Sequence, residues 1–95
     1  MRFRFTRKAE RDIEEIGDFI ARDNPMRAVT FISELTERCA ELIEHPAAAP
    51  LRPEFGPEVR MVPFGRYLIF YAFESNLLEI IRVIHSARNW AEKQR

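Results

Sequence analysis

Tyr67-Leu68-Ile69-Phe70-Tyr71-Ala72-Phe73, then Glu74-Ser75-Asn76, then Leu77-Leu78-Glu79-Ile80-Ile81-Arg82-Val83-Ile84, is the passage that decides the fold. The first run is apolar at every position and the second is β-branched and largely apolar, so each reads as a strand. Apolar residues on both faces of 67–73 imply a central strand covered on both sides, or covered on one side and open to a partner on the other. Glu74-Ser75-Asn76 reads as a three-residue hairpin turn in which Asn76 tolerates the left-handed conformation. Upstream, Glu58 to Val62 alternates and predicts a further strand.

Residues 46–57 carry prolines at 46, 50, 53 and 57, three alanines and Gly56. Proline neither continues a helix nor occupies a central strand, so this segment is a crossover loop. The chain beyond the loop is too short to fold alone, and the 95 residues are expected to form a single domain.

Two helices precede the loop. Thr6 is a candidate N-cap for a helix running to about Asp23, with Ala9, Ile13, Ile16 and Ile20 forming a narrow apolar stripe. Its opposite face pairs Lys8 with Asp12, Arg11 with Glu15 and Asp18 with Arg22 at i,i+4, the pattern of a solvated surface. Asn24-Pro25 ends this helix and starts the next, with Asn24 as cap and Pro25 in the first turn. Ala28, Phe31, Ile32, Leu35, Cys39, Leu42 and Ile43 then fill an arc of about 120°, up to His45-Pro46. At the start, Phe3 and Phe5 alternate with Arg2 and Arg4 as a short strand. The order is β-α-α-β-β-β. It predicts an α+β fold, with a helical hairpin on one face of a small, mainly antiparallel sheet.

Composition excludes several functions. Fifteen basic and fifteen acidic residues argue against binding duplex DNA through net basicity alone. Charge is nevertheless polarised, with eight basic and ten acidic residues in 1–45 but six basic and three acidic from Val59 onward. Thirteen of the fifteen basic residues are arginine, suited to bidentate contacts with phosphate or carboxylate. One cysteine permits no internal disulfide, and no metal-ligand spacing or Gly-rich phosphate loop is present, so no metal and no cofactor is expected. The start of the chain has no apolar signal core, and the longest apolar run, Tyr67 to Phe73, cannot span a bilayer. No membrane association is therefore expected.

Strict alternation along the last strand puts Leu77, Glu79, Ile81, Val83 and His85 on one side and Leu78, Ile80, Arg82 and Ile84 on the other. One side faces the helices. The other, joined by Tyr67, Ile69, Tyr71 and Phe73 or by Leu68, Phe70 and Ala72, would be an open apolar patch that takes a second copy or a different protein. Arg60, Arg66, Arg82 and Arg88 all fall in the sheet half and could surround His85, whose ordinary pKa near 6.5 suits acid–base work. Alternation separates Arg82 from His85 unless a bulge intervenes, and a structural His85 is the plainer reading.

Asp12-Ile13-Glu14-Glu15-Ile16, Asp23-Asn24-Pro25, Gly65-Arg66-Tyr67-Leu68-Ile69-Phe70-Tyr71 and Ile81-Arg82-Val83-Ile84-His85-Ser86-Ala87-Arg88-Asn89, in that order, resemble a ParE-type toxin of the RelE/ParE superfamily. The resemblance implies a strand, a helical hairpin and an antiparallel sheet. It also implies the toxin half of a type II toxin–antitoxin pair in the bacterial cytoplasm, held in a hetero-oligomer by a ParD-like antitoxin. The ParE branch is associated with inhibition of DNA gyrase by binding, without catalysis. On that reading Arg66, Arg82, Arg88 and Trp90 are target-binding candidates, and Tyr67, Ile69, Tyr71 and Phe73 are antitoxin-binding candidates. The RelE branch cleaves mRNA on the ribosome, and Arg60, Arg66, Arg82 and His85 are where its catalytic residues would be sought. Ser86 stands where those nucleases often show tyrosine, and the RelE lysine cluster is missing, which favours the ParE reading. A third reading is a family member that binds its partner without being toxic.

Overall fold

The computed structural model describes residues 1–87. The elements run β1 (Arg2–Phe5), α1 (Arg7–Ala21), α2 (Pro25–Glu41), β2 (Arg60–Phe64), β3 (Tyr67–Glu74) and β4 (Leu77–His85), with one 3-10 turn at Pro53–Phe55. This is the expected β-α-α-β-β-β order. The sheet order is β1-β4-β3-β2, antiparallel except that β1 pairs in parallel with β4.

Both helix starts are set by their caps. The Thr6 hydroxyl accepts the Ala9 N–H at 3.0 Å, and Asn24 Oδ1 accepts the Arg27 N–H at 3.0 Å. Helix α2 stops four residues before the expected His45. The amides of Leu42, Ile43 and Glu44 donate three residues back, to Cys39, Ala40 and Glu41, so the last turn tightens before Pro46. Strand β2 runs to Phe64, past the expected Val62, and includes Pro63; an edge strand tolerates the missing N–H. The β3–β4 turn is Ser75-Asn76, because Glu74 and Leu77 already pair. Ser75, with φ 52°, takes the left-handed conformation expected of Asn76.

Strict alternation on β4 fails at one point. Phe70 pairs with Arg82 and Tyr71 with Ile80, so Ile81 is an extra residue and a bulge. Leu78, Ile80 and Val83 therefore all pack with the helices, alongside Ala9, Ile16, Leu35, Cys39, Leu42, Ile69 and Tyr71. A second cluster on the far face joins Val59, Phe70 and Ile84, with Phe55, Met61, Leu68 and Ile81 at its margin. The sheet is thus buried on both faces around Ile69-Phe70-Tyr71, each at most 1% exposed. Cys39 is a buried hydrophobe, and burial pushes its thiol up to about 12.

Candidate functional site

Arg82 and His85 lie at the end of the sheet where β4 outruns β1. Strand β1 ends at Phe5, opposite Ile80, which leaves Ile81 to His85 without a strand on that side. The start of α1 takes over the vacated edge. The Thr6 N–H donates to the Ile80 carbonyl at 2.9 Å, and the Thr6 hydroxyl donates to the Ile81 carbonyl at 2.8 Å. Further along the helix, Asp12 Oδ2 accepts the Val83 N–H at 3.0 Å.

Asp12 also holds Arg82. Arg82 Nε donates to Asp12 Oδ2 at 2.7 Å and a terminal nitrogen donates to Oδ1 at 3.0 Å, a bidentate fork with side chains only 12% and 10% exposed. The hydrogen bond that Arg82 donates to Asp12 raises the Arg82 pKa further, against the opposing effect of burial, so the guanidinium stays charged. This corrects two expectations. Asp12 is not on a solvated face paired with Lys8, but buried in the seam between α1 and β4. Arg82 is not a surface group offered to a target, because its fork is occupied by Asp12.

The bulge does not bring Arg82 and His85 together, since it precedes both. Arg82 pairs with Phe70 of the far cluster, while His85 pairs with Tyr67 of the helix side, its ring edge-to-face at 5.3 Å. His85 Nδ1 accepts the Ala87 N–H at 3.0 Å. The ring thus engages a backbone N–H of the turn that follows β4. It borders an open groove of about 640 Å³ against α1, lined also by Glu15, Asp18, Phe19, Arg22 and Tyr67.

Arg60 lies at the other end of β2 and turns to the crossover loop. One guanidinium nitrogen donates to the carbonyls of Ala47 at 3.1 Å and Ala49 at 2.6 Å, and the group lies over the Phe73 ring. Arg66 is exposed in the β2–β3 turn, where Gly65 takes a φ of 57°, and its carbonyl accepts the Ser86 N–H at 2.7 Å. Arg60, Arg66, Arg82 and His85 therefore do not converge. Among the described residues, Arg66 is the one arginine of the three whose side chain has no partner in the fold. Arg88 and Trp90 lie outside the described residues.

The antitoxin-binding row is also placed differently. Tyr67, Ile69, Tyr71 and Phe73 face the helices, and Ile69 and Tyr71 are fully buried, so this row is core and not an open patch. The Tyr71 hydroxyl donates to the Pro46 carbonyl at 2.8 Å, and burial pushes its pKa up. Tyr67 and Phe73 stay half-buried at the margins. The large exposed apolar side chains are elsewhere, chiefly Phe19, Met26 and Val29 on the helical hairpin.

Sequence reasoning missed Asp12. Its position is three residues after Ala9 and four before Ile16, inside the apolar stripe, and that placement signals a buried carboxylate in need of a cation.

Comparison with known proteins agrees with this architecture. The family model described as the ParE toxin of the type II toxin–antitoxin system parDE matches residues 3–90. A protein of Sinorhizobium fredii (strain NBRC 101917 / NGR234) that carries the toxin name Y4kP is 29% identical over 92 residues, covering 96% of this chain and 94% of its own. A solved chain of the chromosomal ParDE system from P. aeruginosa has the same fold, with a TM-score of 0.76 over 90% of this chain and 95% of that one, at 22% identity. The helical hairpin on a four-stranded sheet and the near-complete span of the family match lead to one assignment: the chain belongs to the ParE toxin family of type II toxin–antitoxin systems.

Proposed function

We propose that this toxin arrests growth by binding DNA gyrase in the bacterial cytoplasm, and that a ParD-like antitoxin neutralises it in a hetero-oligomer. The observation that carries the reading is the engagement of the residues that mRNA cleavage would need. Arg82 is forked onto Asp12, Arg60 is committed to loop carbonyls, and His85 Nδ1 holds the Ala87 amide. A general base needs a positioned nucleophile and a charge-stabilising partner within reach, and these groups point to three different places. What remains is a binding surface. Arg66 projects from the turn next to the end of β4, and Arg88 comes two residues after the Ser86 amide that bonds the Arg66 carbonyl. The pair would meet an acidic or phosphate-bearing surface of the target. The net positive sheet half likewise suits an acidic antitoxin.

The test is a supercoiling assay with purified toxin and gyrase. Inhibition that rises with toxin and is reversed by the antitoxin is the expected result. Unaffected supercoiling together with cleavage of ribosome-bound mRNA would overturn it.

A further inference from the structure

Two flanks of the sheet are covered, that of β2 by the crossover loop and that of β4 beyond Phe5 by Thr6 and Asp12. The outer edge of β1 is the remaining one. The Arg2 N–H donates to the Asn76 carbonyl and the Thr6 N–H to the Ile80 carbonyl, both at 2.9 Å, so the even-numbered residues of this strand bond β4. Backbone groups alternate sides along a strand, and the N–H and C=O of Phe3 and Phe5 therefore point away from the sheet. Among the described residues none of these groups has a partner in the fold. The strand that carries them is nevertheless fixed. The Phe3 and Phe5 rings meet edge-to-face at 5.6 Å and both pack on the core beneath the helices, so a partner would meet a strand already in place.

Charge selects the occupant of this edge. Residues 1–11 carry five basic residues and one acidic, although 1–45 as a whole is net negative. Arg4 is paired with Glu79 at 3.0 Å, while Arg2, Arg7, Lys8 and Arg11 have no side-chain partner among the described residues. Arg2 and Arg4 share one face of β1, opposite the phenylalanines. A second copy pairing edge to edge would bring the arginines of both strands together on one face, which is destabilising. A nucleic-acid backbone meets the cations but brings no N–H to the Phe3 and Phe5 carbonyls. An extended polypeptide with carboxylates at alternate positions satisfies both the backbone groups and the arginines.

We propose that β1 accepts an acidic, extended segment of a partner protein as an added strand. The segment bonds through the backbone of Phe3 and Phe5, with carboxylates opposite Arg2 and Arg4 and apolar side chains beside the two phenylalanine rings. Its binding is read on the toxin alone and does not depend on gyrase being the target.

The test uses amide NMR spectra of the whole protein. A capped heptapeptide alternating glutamate and valine shifts the Phe3 and Phe5 amide signals on titration and slows their exchange with deuterium, whereas its lysine–valine counterpart does not. Arg2→Glu, at a side chain without a partner in the fold, reverses that preference. Because Cys39 is the single cysteine, a synthetic segment of residues 1–38 can be ligated there to residues 39–95, which permits N-methylphenylalanine at position 3. Losing that one N–H and crowding the edge weakens the glutamate peptide by about ten-fold or more, with the fold unchanged by circular dichroism. Absence of binding, shifts confined to other amides, or equal affinity for the N-methylated chain would each overturn the proposal. Phe3 and Phe5 amides already protected in the free protein would overturn it too, showing a second copy on the edge if protection rises with protein concentration and the chain itself if it does not.

Discussion

Along the β2 side the sheet is closed by backbone, whereas along β4 beyond Phe5 it is closed by a buried carboxylate. At β2 the crossover loop runs alongside as a partial strand. Leu51 bridges to Arg60, the Arg52 N–H donates to the Val59 carbonyl at 2.7 Å, and the Met61 N–H donates to the Pro50 carbonyl at 3.4 Å. The groups used there are neutral or, like Arg60, half-exposed. At β4, by contrast, Asp12 replaces a missing strand and needs Arg82 as its counter-charge. An unpaired strand edge invites association with another chain, and both solutions remove that hazard. They differ in what failure costs: a lost neutral hydrogen bond is modest, whereas a buried charge left alone is severe.

The largest effect is therefore expected at the carboxylate. Asp12→Ala strands Arg82 and the Val83 amide and should lower unfolding free energy by about 3–5 kcal/mol, read from urea denaturation. Replacing both partners, as Asp12→Leu with Arg82→Met, should recover the part of that loss due to the stranded charge, while the Val83 amide stays unpaired. A double variant as unstable as the single one would show that the seam is held by geometry and not by charge pairing.

On the β2 side, Arg60→Ala should cost about 1.5–3 kcal/mol, the range for hydrogen bonds made by a charged donor, with the loop carbonyls of Ala47 and Ala49 left to water. Tyr71→Phe removes one neutral bond to Pro46 and should cost about 1 kcal/mol. It has a pH signature as well. The Tyr71 pKa is raised in the fold, so the stabilising term is intact below the unfolded value near 10 and is lost as pH climbs through the folded one. Cys39, pushed up from 9.0 to about 12, adds to the same alkaline loss. Stability should fall on the alkaline side and Tyr71→Phe should flatten part of that fall; an unchanged limb would mean the hydroxyl is not buried as described. The smallest effect is expected at the exposed Arg27–Glu34 pair, where Arg27→Ala should change stability by less than about 1 kcal/mol.

These contrasts also mark what the sequence could tell. Element order, both helix caps, the hairpin and the buried thiol were legible, because each rests on local chemistry: a hydroxyl or amide before an apolar stripe, a run of β-branched residues, a proline-rich break. The sidedness of β4 was not. One extra residue at Ile81 reverses the alternation, and nothing in an apolar run marks where a bulge falls. That slip hid the common side of Ile80 and Val83, while on β3 both rows are apolar and alternation alone does not say which one, Ile69 and Tyr71 or Leu68 and Phe70, meets the helices. Arg82 and Asp12 were hidden for a different reason: they lie 70 positions apart, and their partnership exists only once α1 lies along the unfinished edge of β4.

On the proposed reading this end of the sheet acts by contact, with His85 holding a turn and Arg66 meeting the target. Inducing His85→Gln and Arg66→Glu separately in cells, without the antitoxin and with folding checked by circular dichroism, tests it most directly. His85→Gln should still arrest growth and Arg66→Glu should not. A folded His85→Gln variant that has lost toxicity, beside an Arg66→Glu variant that keeps it, would show that the histidine acts in catalysis and that Arg66 does not meet the target.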